Sequence, residues 1–394
     1  MTITPNGPGG GTRRLLVVAL ALALVVGIAA AVWYGRRGDP RATDGADLRT
    51  VTGVIGSEKQ PFFADPDVRS VFAGHGLRVD VRTAGSRQIA TTYDLAGVDF
   101  AFPSSAPAAE KIEQKTGRRA RYAPFYSPLA VATFEPVAQL LEQSGVTRRS
   151  GDQWYLDLAR YQDLVDRRTR WRDLPGAAGL YDSPRAAMIS STDIRTSNSA
   201  AMYLAAAAFV RNDNRVVATE EEADRAADAS AGLFLDQGYA ETSSEGPFSD
   251  YLSQGIGAKP MVMVYEAQFL GRRISESGRA AITPSMRLMY PTPTVTSKHT
   301  VVGLTDAGDE VGRLLTEEPE LARLAARYGF RPGDAAVFGR VLAEAGVPAP
   351  PDLVAVADPP RYDLLERMVS RVEARFAPGA GTAPTPDADK VTPH

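Results

Sequence analysis

The chain has 394 residues, of which 44% are hydrophobic and 23% are charged, an ordinary composition for a globular protein. Its length is sufficient for two domains. The formal net charge of −3 gives no indication of a nucleic-acid-binding surface, and we expect no nucleic-acid partner. Because there is no Cys and there are three His, the sequence excludes a thiol nucleophile and a Cys-bound metal centre. We expect neither a metal ion nor a cofactor.

Residues 15–34 form an uncharged apolar run that follows a polar N-terminal tail at 1–14. The run is about as long as the ~20 residues that cross a hydrocarbon core, and Trp33 and Tyr34 stand where interfacial aromatic anchors lie. The pattern predicts a transmembrane signal-anchor helix. A cleaved secretory signal is the alternative, with the small residues 29–31 as its cleavage site, although such signals normally have an apolar region of about 7–15 residues. Arginines on both sides leave the orientation open.

Two polar segments flank the predicted body. Residues 35–49 contain Gly, Pro and charged side chains, which is typical of a linker. Residues 377–394 are rich in Pro, Ala and Gly and have too few apolar side chains to form a core, so we expect a disordered tail. The folded body is therefore expected over 50–376.

Short apolar runs alternate with longer helical patterns from residue 50 onward, which predicts an α/β fold. The first three runs, TVTGVIGS, LRVDVRTAGS and VDFAFPSS, each end in small hydroxyl residues where a helix begins. The carboxyl ends of parallel strands share one edge of an open sheet, where ligands commonly bind. We therefore expect one crevice lined by Ser57, Ser86, Ser104 and Ser105. The alternative is that each serine only caps its own helix.

A second concentration of polar side chains precedes an alanine-rich helix, in SSTDIRTSNSAAMYLAAAAFVRND at 190–213. Its hydrogen-bonding candidates are Thr192, Arg195, Ser197, Asn198 and Ser199. Hydroxyl, amide and guanidinium groups at a helix start suit a carboxylate or an oxyanion. We expect this turn to contact a ligand. The alternative is an elaborate helix cap in which Asp193 and Arg195 pair at the surface.

Five segments together resemble an extracytoplasmic solute-binding protein of the two-lobed type II class. They are GSEKQPFFAD, AGSRQIA, VDFAFPSSAP, STDIRTSNSAAMYLA and PFSDYLSQGIGAKPMVMVYEAQFL. The similarity is greatest to the group of phosphate- and molybdate-type binding proteins, which is related to binding domains fused to von Willebrand A domains. The resemblance implies two α/β lobes, with lobe I over 50–130 and 285–376 and lobe II over 131–284.

The resemblance also implies a site between the lobes, built from loop and helix-start residues of both. Its implied ligand-binding residues are Ser57, Lys59, Ser86, Arg87, Ser104, Ser105, Thr192, Arg195, Ser197, Asn198, Ser199, Tyr265 and Glu266. Proteins of this class capture a small-molecule ligand outside the cytoplasm for an ABC-type permease. We thus expect a non-enzymatic, single-pass protein of the cell membrane with its body extracytoplasmic.

The sequence leaves alternatives open both for the ligand and for the class of function. Lys59, Arg87 and Arg195 favour an anion, whereas the neighbouring Glu58 and Asp193 also allow a zwitterion. A tethered sensor or interaction domain without a transport role is a second class of function. A serine hydrolase with Lys59 as its base is a third, but neither G-x-S-x-G nor S-x-x-K surrounds the candidate nucleophiles.

Overall fold

The computed structural model describes residues 48–238, 240–350 and 355–376. The N-terminal tail at 1–14, the transmembrane helix at 15–34 and the C-terminal tail at 377–394 are predictions that lie outside these ranges, as does most of the linker. Within the described part of the chain, no helix is both long and apolar enough to cross a membrane. The compact unit that contains the described residues begins at Arg49.

The described residues form eleven β-strands and seventeen α-helices. The strands are β1 (Arg49–Ile55), β2 (Leu77–Thr83), β3 (Phe100–Phe102), β4 (Ala120–Phe134), β5 (Thr147–Ser150), β6 (Gln153–Asp157), β7 (Met261–Tyr265), β8 (Met286–Thr292), β9 (Thr294–Gly303), β10 (Arg331–Pro332) and β11 (Val356–Ala357). The helices are α1 (Gln60–Ala64), α2 (Pro66–Gly74), α3 (Ser86–Thr91), α4 (Ala106–Thr116), α5 (Glu135–Gln143), α6 (Leu158–Asp166), α7 (Ala177–Leu180), α8 (Asn198–Arg211), α9 (Glu220–Ser230), α10 (Gly232–Leu235), α11 (Glu245–Gln254), α12 (Glu266–Ile274), α13 (Glu276–Arg279), α14 (Asp306–Glu317), α15 (Pro319–Arg327), α16 (Ala335–Glu344) and α17 (Tyr362–Glu373).

The first sheet has the strand order β2-β1-β3-β9-β4, and β10 pairs with β4. β1 pairs in parallel with both β2 and β3, which sets Ile55 opposite Thr83 and Phe102. The carboxyl ends of these three strands therefore lie side by side. After β1 the chain enters a 3-10 turn at Ser57–Lys59, after β2 it enters helix α3, and after β3 it enters helix α4. The α/β alternation predicted for this region is confirmed.

β4 also belongs to a second sheet, whose order is β7-β4-β8-β6-β5. Residues 120–128 of β4 pair with β9, whereas residues 129–134 pair with β7 and β8. β8 and β9 follow each other closely in the chain, so two extended segments run from one sheet into the other. The lobe limits at 130/131 and 284/285 remain predictions.

Helix α8 is buried on nearly all sides. Eleven of its fourteen residues, from Asn198 to Ala208, are buried. It contacts strands β4, β7 and β9 as well as helices α6, α9 and α17. A helix that is apolar all round belongs in an interior, and its small alanine side chains allow close approach on every face. The start of α8 is therefore held rigidly where the two sheets meet.

Candidate ligand-binding site

A polar cavity of about 30 Å³, here called the cleft, lies between residues that follow the strands of the first sheet and helix starts of the second. It is lined by Gly56, Ser57, Glu58, Ala84, Gly85, Ser86, Ser104, Ser197, Asn198, Ser199, Thr242, Ser243, Ser244 and Tyr265. Nine of these fourteen residues carry a hydroxyl group, and Glu58 alone carries a charge. The cleft is therefore dominated by groups that both donate and accept hydrogen bonds.

The serines that precede α4 and α8 do not cap these helices. Ser105 and Ser197 occupy the N-cap positions, but neither side chain accepts a hydrogen bond from the first turn. Ser105 Oγ instead donates to Asn198 Oδ1 at 2.8 Å, and Ser197 Oγ accepts from Thr192 Oγ1 at 2.8 Å. The capping alternative is wrong for both helices, whose first-turn N–H groups have no side-chain cap.

The two sides of the cleft touch each other directly. Besides the bond between the starts of α4 and α8, Ser57 Oγ lies 3.3 Å from Ser243 Oγ. A Cβ atom placed on Gly85 would lie 3.1 Å from the carbonyl oxygen of Thr196, so these two backbones are also close. Direct contacts of this kind explain why the cleft is narrow.

Behind the cleft, Lys59 is completely buried beside Glu58. Its Nζ lies 2.5 Å from Glu58 Oε1, 2.9 Å from Ser104 Oγ and 3.1 Å from His299 Nδ1. Ser104 Oγ itself donates to Glu58 Oε1, which leaves its oxygen free to accept from Lys59. Three acceptors thus match the three N–H groups of an ammonium, which has no lone pair to take a proton from a hydroxyl. This geometry argues against a Ser-Lys hydrolase.

Burial and charge pairing set the ionisation of these groups. Burial by itself raises the pKa of Glu58, but the charges of Lys59 and His299 and the hydrogen bonds from Lys59 and Ser104 together outweigh it, so the pKa falls to about 2. Burial lowers the pKa of Lys59, and the Glu58 carboxylate opposes that change. Burial and then the charge of Lys59 lower the pKa of His299 to about 3, so the ring is neutral at pH 7. Since Lys59 donates to Nδ1, we assign the ring proton to Nε2, which has no hydrogen-bond partner within the described residues.

Arg87 and Arg195 are engaged with protein partners outside the cleft lining. Arg87 makes two bonds of 2.7 Å to the carboxylate of Glu366 and a third, of 3.3 Å, to the carbonyl oxygen of Ile194. Arg195 forms an ion pair of 2.5 Å with Asp193, so the pairing expected under the capping alternative is present, although Asp193 is buried and not at the surface. The sequence-based expectation of an anionic ligand rested on these arginines and on Lys59. Since none of the three lines the cleft, they do not support an anionic ligand there.

The remaining predicted residues divide between the cleft and its surroundings. Glu266 is fully buried and accepts hydrogen bonds from Arg331, at 2.6 and 2.8 Å, and from the hydroxyl of Tyr290, at 2.6 Å. It therefore joins the start of α12 to β8 and β10. The predicted residues in the cleft lining are Ser57, Ser86, Ser104, Ser197, Asn198, Ser199 and Tyr265. Those outside it are Lys59, Arg87, Ser105, Thr192, Arg195 and Glu266.

Seven lining residues were not among the predicted ligand contacts, and four of these seven have polar side chains. Glu58 stands in the position that the sequence analysis assigned to Lys59, because the short 3-10 turn directs the lysine into the interior. Thr242, Ser243 and Ser244 precede helix α11. A hydroxyl run directly before a helix is the same signal as in VDFAFPSS, and it would have identified these three residues.

No family model matches the sequence, and no curated protein matches it. Solved structures match it in fold. The periplasmic binding protein AfuA from Actinobacillus pleuropneumoniae, with fructose-6-phosphate bound, aligns over 83% of this chain and 95% of its own, with 12% identity and a TM-score of 0.50. Iron-bound HitA from Pseudomonas aeruginosa aligns over 82% and 98%, with 14% identity and a TM-score of 0.50. An ABC transporter from Clostridium perfringens aligns over 83% and 100%, with 12% identity and a TM-score of 0.50.

The chain has a type II periplasmic binding-protein fold. The two sheets that share β4, and the polar cleft between them, are consistent with this fold. Sequence identities of 12 to 14% are too low for the ligand of any of these proteins to be assigned to this chain. They also do not support the finer resemblance to the phosphate- and molybdate-type group or to von Willebrand A fusions. The chemistry of the ligand must come from the cleft of this chain.

Proposed function

We propose that this protein captures a small polar solute in the cleft and presents it to an ABC-type transporter. The observation that carries the proposal is the lining of the cleft, in which nine hydroxyl groups meet beside the uncapped starts of α4 and α8. A protein that needed these serines only for folding would use them as helix caps, each worth about 1 kcal/mol. Ser57, Ser104 and Ser197 instead form hydrogen bonds with the side chains of other residues in the cleft lining.

The helix starts and the carboxylate together favour a particular kind of anion. Uncapped first-turn N–H groups attract negative charge, with a contribution of roughly 0.3–1 kcal/mol for each helix at exposed sites. Glu58 is ionised, however, and would repel a fully deprotonated anion. A ligand that keeps one O–H or N–H group can donate it to Glu58 while its other oxygens accept from serines and backbone N–H groups. We therefore propose an anion that retains a hydrogen-bond donor.

The size of the cleft favours a compact ligand. A water molecule needs roughly 10–15 Å³ of such space, so a cavity of about 30 Å³ holds about two water-sized groups. A protonated tetrahedral oxyanion or a small hydroxy acid is larger than two water molecules, so its entry requires a slight widening of the cleft. A sugar or a peptide would require the two sides of the cleft to separate.

Thermal unfolding of the full chain tests the proposal, with phosphate, sulfate, glycolate and glycine at equal ionic strength as probes. A probe at 100 times its Kd stabilises the protein by about 2.7 kcal/mol. We expect phosphate or glycolate to raise the Tm and sulfate to have little effect. Asn198→Ala should remove the rise, whereas Ser253→Ala, on the exposed face of α11, should not. A folded protein that responds to none of the probes contradicts solute capture by this cleft.

The second candidate function is a tethered sensor or interaction domain without a transport role. It is favoured by the direct hydrogen bond between Ser105 and Asn198, since such contacts hold the cleft shut by protein groups alone. The same thermal experiment separates the two functions. If no solute binds and Ser105→Ala does not create binding, the interaction domain becomes the better account.

Anchoring outside the cytoplasm is a further part of the proposal. It is supported by the apolar run at 15–34 and by the extracytoplasmic work of periplasmic binding proteins with this fold. Protease added to intact cells should digest the body while sparing cytoplasmic proteins. Recovery of the body from the culture medium, with an N-terminus near residue 32, would instead indicate a cleaved secretory signal.

A further inference from the structure

A second cavity, of about 440 Å³, shares no lining residue with the cleft. Its walls come from the β5–β6 hairpin, helix α12, strand β8 and the turn after α16. Five charged side chains line it: Arg149, Asp152, Arg273, Arg279 and Arg287. The lining thus has four positive charges and one negative charge. The lining of the cleft, by contrast, has a single charge, and it is negative. We call this cavity the arginine pocket.

Two of the arginines have carboxylate partners. Arg287 Nε lies 2.6 Å from Glu135 Oε2, and Arg149 lies 3.3 Å from Asp152 Oδ1. Among the described residues, Arg279 donates only to backbone carbonyl oxygens, those of Arg273 at 3.2 Å and Ala345 at 2.9 Å. These bonds orient its guanidinium group without neutralising its charge.

Of the four arginines, Arg273 is the one whose positive charge is least balanced by partners among the described residues. Its guanidinium group makes no hydrogen bond and no ion pair within the described residues, although the side chain is only partly exposed. Burial, followed by the charge of Arg287, lowers its pKa, to which Arg279 also contributes. A partly desolvated charge without a counter-charge is unfavourable for folding. An anion between Arg273 and Arg279 would compensate both.

The rest of the pocket is largely apolar. Its apolar lining includes Phe269, Leu270 and Val347, which are buried, and Ile282 and Leu288, which are partly exposed. The volume is within the 300–1,000 Å³ that is usual for sites of small organic ligands. An inorganic ion would leave the side chains of Ile282 and Leu288 uncovered.

We propose that the arginine pocket is a second binding site, which takes an organic anion. A carboxylate or phosphate group would lie between Arg273 and Arg279, and an apolar body would lie against Ile282 and Leu288. The N–H groups of a guanidinium suit the oxygens of such a head group. The site is independent of solute capture in the cleft.

Isothermal titration of the full chain with phenyl phosphate tests the proposal. Phenyl phosphate combines both features, whereas inorganic phosphate has only the head and benzyl alcohol only the body. We expect phenyl phosphate to bind at least tenfold more tightly than either. Arg273→Gln and Arg279→Gln should each weaken its binding at least tenfold, and Arg340→Gln, an exposed arginine on α16, should leave it unchanged. Asn198→Ala in the cleft should also leave it unchanged, which keeps this site distinct from the proposed function.

Stability provides a second readout that a purely structural arginine would not produce. In buffer without phosphate or carboxylate, Arg273→Gln should raise the Tm because it removes a repelled, partly buried charge. Unchanged phenyl phosphate binding in both arginine variants, or no binding at millimolar concentration, would overturn the proposal. A soluble short-chain phosphatidylglycerol offered as a competitor separates the two sources of this chemistry: displacement indicates a lipid, and no displacement indicates a free organic anion.

Discussion

Ser105, the residue before α4, and Asn198, the first residue of α8, are joined across the cleft by a hydrogen bond of 2.8 Å. Asn198 also donates from Nδ2 to the hydroxyl of Tyr265 at 3.0 Å. One amide therefore connects both sides of the cleft with the end of β7.

Ser105→Ala should lower the free energy of unfolding by about 1–2 kcal/mol, because it leaves the buried Oδ1 atom of Asn198 without this donor. Chemical denaturation measures the change. Ser253→Ala is the matched control, and its exposed position predicts a change within about 0.5 kcal/mol. Equal effects of the two substitutions would mean that the cross-cleft bond adds nothing to stability.

Gly56→Ala should destabilise the protein by about 1–3 kcal/mol. The φ and ψ angles of Gly56, −62° and 140°, suit any residue, so the cost arises from space alone. An added Cβ would collide with Ser104 Oγ and lie 2.7 Å from Glu58 Oε1, which forces the carboxylate to move. Gly74→Ala is the control, since an added Cβ there meets no atom within 4 Å. If Gly56→Ala is as stable as this control, the carboxylate is not held where we describe it.

Lys59→Met should cost about 3–5 kcal/mol of unfolding free energy, because it leaves the Glu58 carboxylate buried without its partner. Adding Glu58→Gln to this variant should restore more than half of the loss, since no uncompensated charge then remains. The exposed pair between Arg313 and Glu317 supplies the comparison, and Arg313→Ala should cost less than about 1 kcal/mol. A double variant no more stable than Lys59→Met would show that packing, and not charge, dominates at this position.

Stability should fall as the pH is lowered from 7.5 to 5. The pKa of His299 is about 3 in the folded state, well below the ordinary histidine value of 6.5, so between these values the unfolded chain binds more protons. Protonation then favours unfolding, and the loss from this residue is about 2 kcal/mol at pH 5. His299→Gln keeps a hydrogen-bond acceptor for Lys59 but does not titrate. Urea denaturation at both pH values should show a smaller fall for this variant, and parallel falls would exclude His299 as the source.

The strands and turns of the cleft could be predicted because their signals are local. TVTGVIGS and VDFAFPSS each place a buried strand before hydroxyl residues, and the parallel pairing of β1 with β3 brings Ser57 and Ser104 to the same edge. The alternation of apolar side chains depends on neighbours within a few residues, so it can be recognised in the sequence without knowledge of the fold.

The roles of the charged residues could not be predicted in this way. Arg87 pairs with Glu366, which lies 279 residues away, and Lys59 contacts His299, which lies 240 residues away. No local pattern indicates such partners, because they meet only when the helices pack. An arginine that suggested an anion site is therefore neutralised within the protein, while Glu58 becomes the charged group of the cleft.

The α/β alternation and the hydroxyl-rich helix starts can be read from the amino-acid sequence, because each depends on interactions between residues close in the chain. The folded chain was needed to show which of those polar groups share a cavity, which are paired with distant residues, and which have no counter-charge among the described residues, such as Arg273 in the arginine pocket. Desolvation and ion pairing depend on which side chains the fold brings within a few ångströms of one another, and for these residues the partners are far apart in the chain.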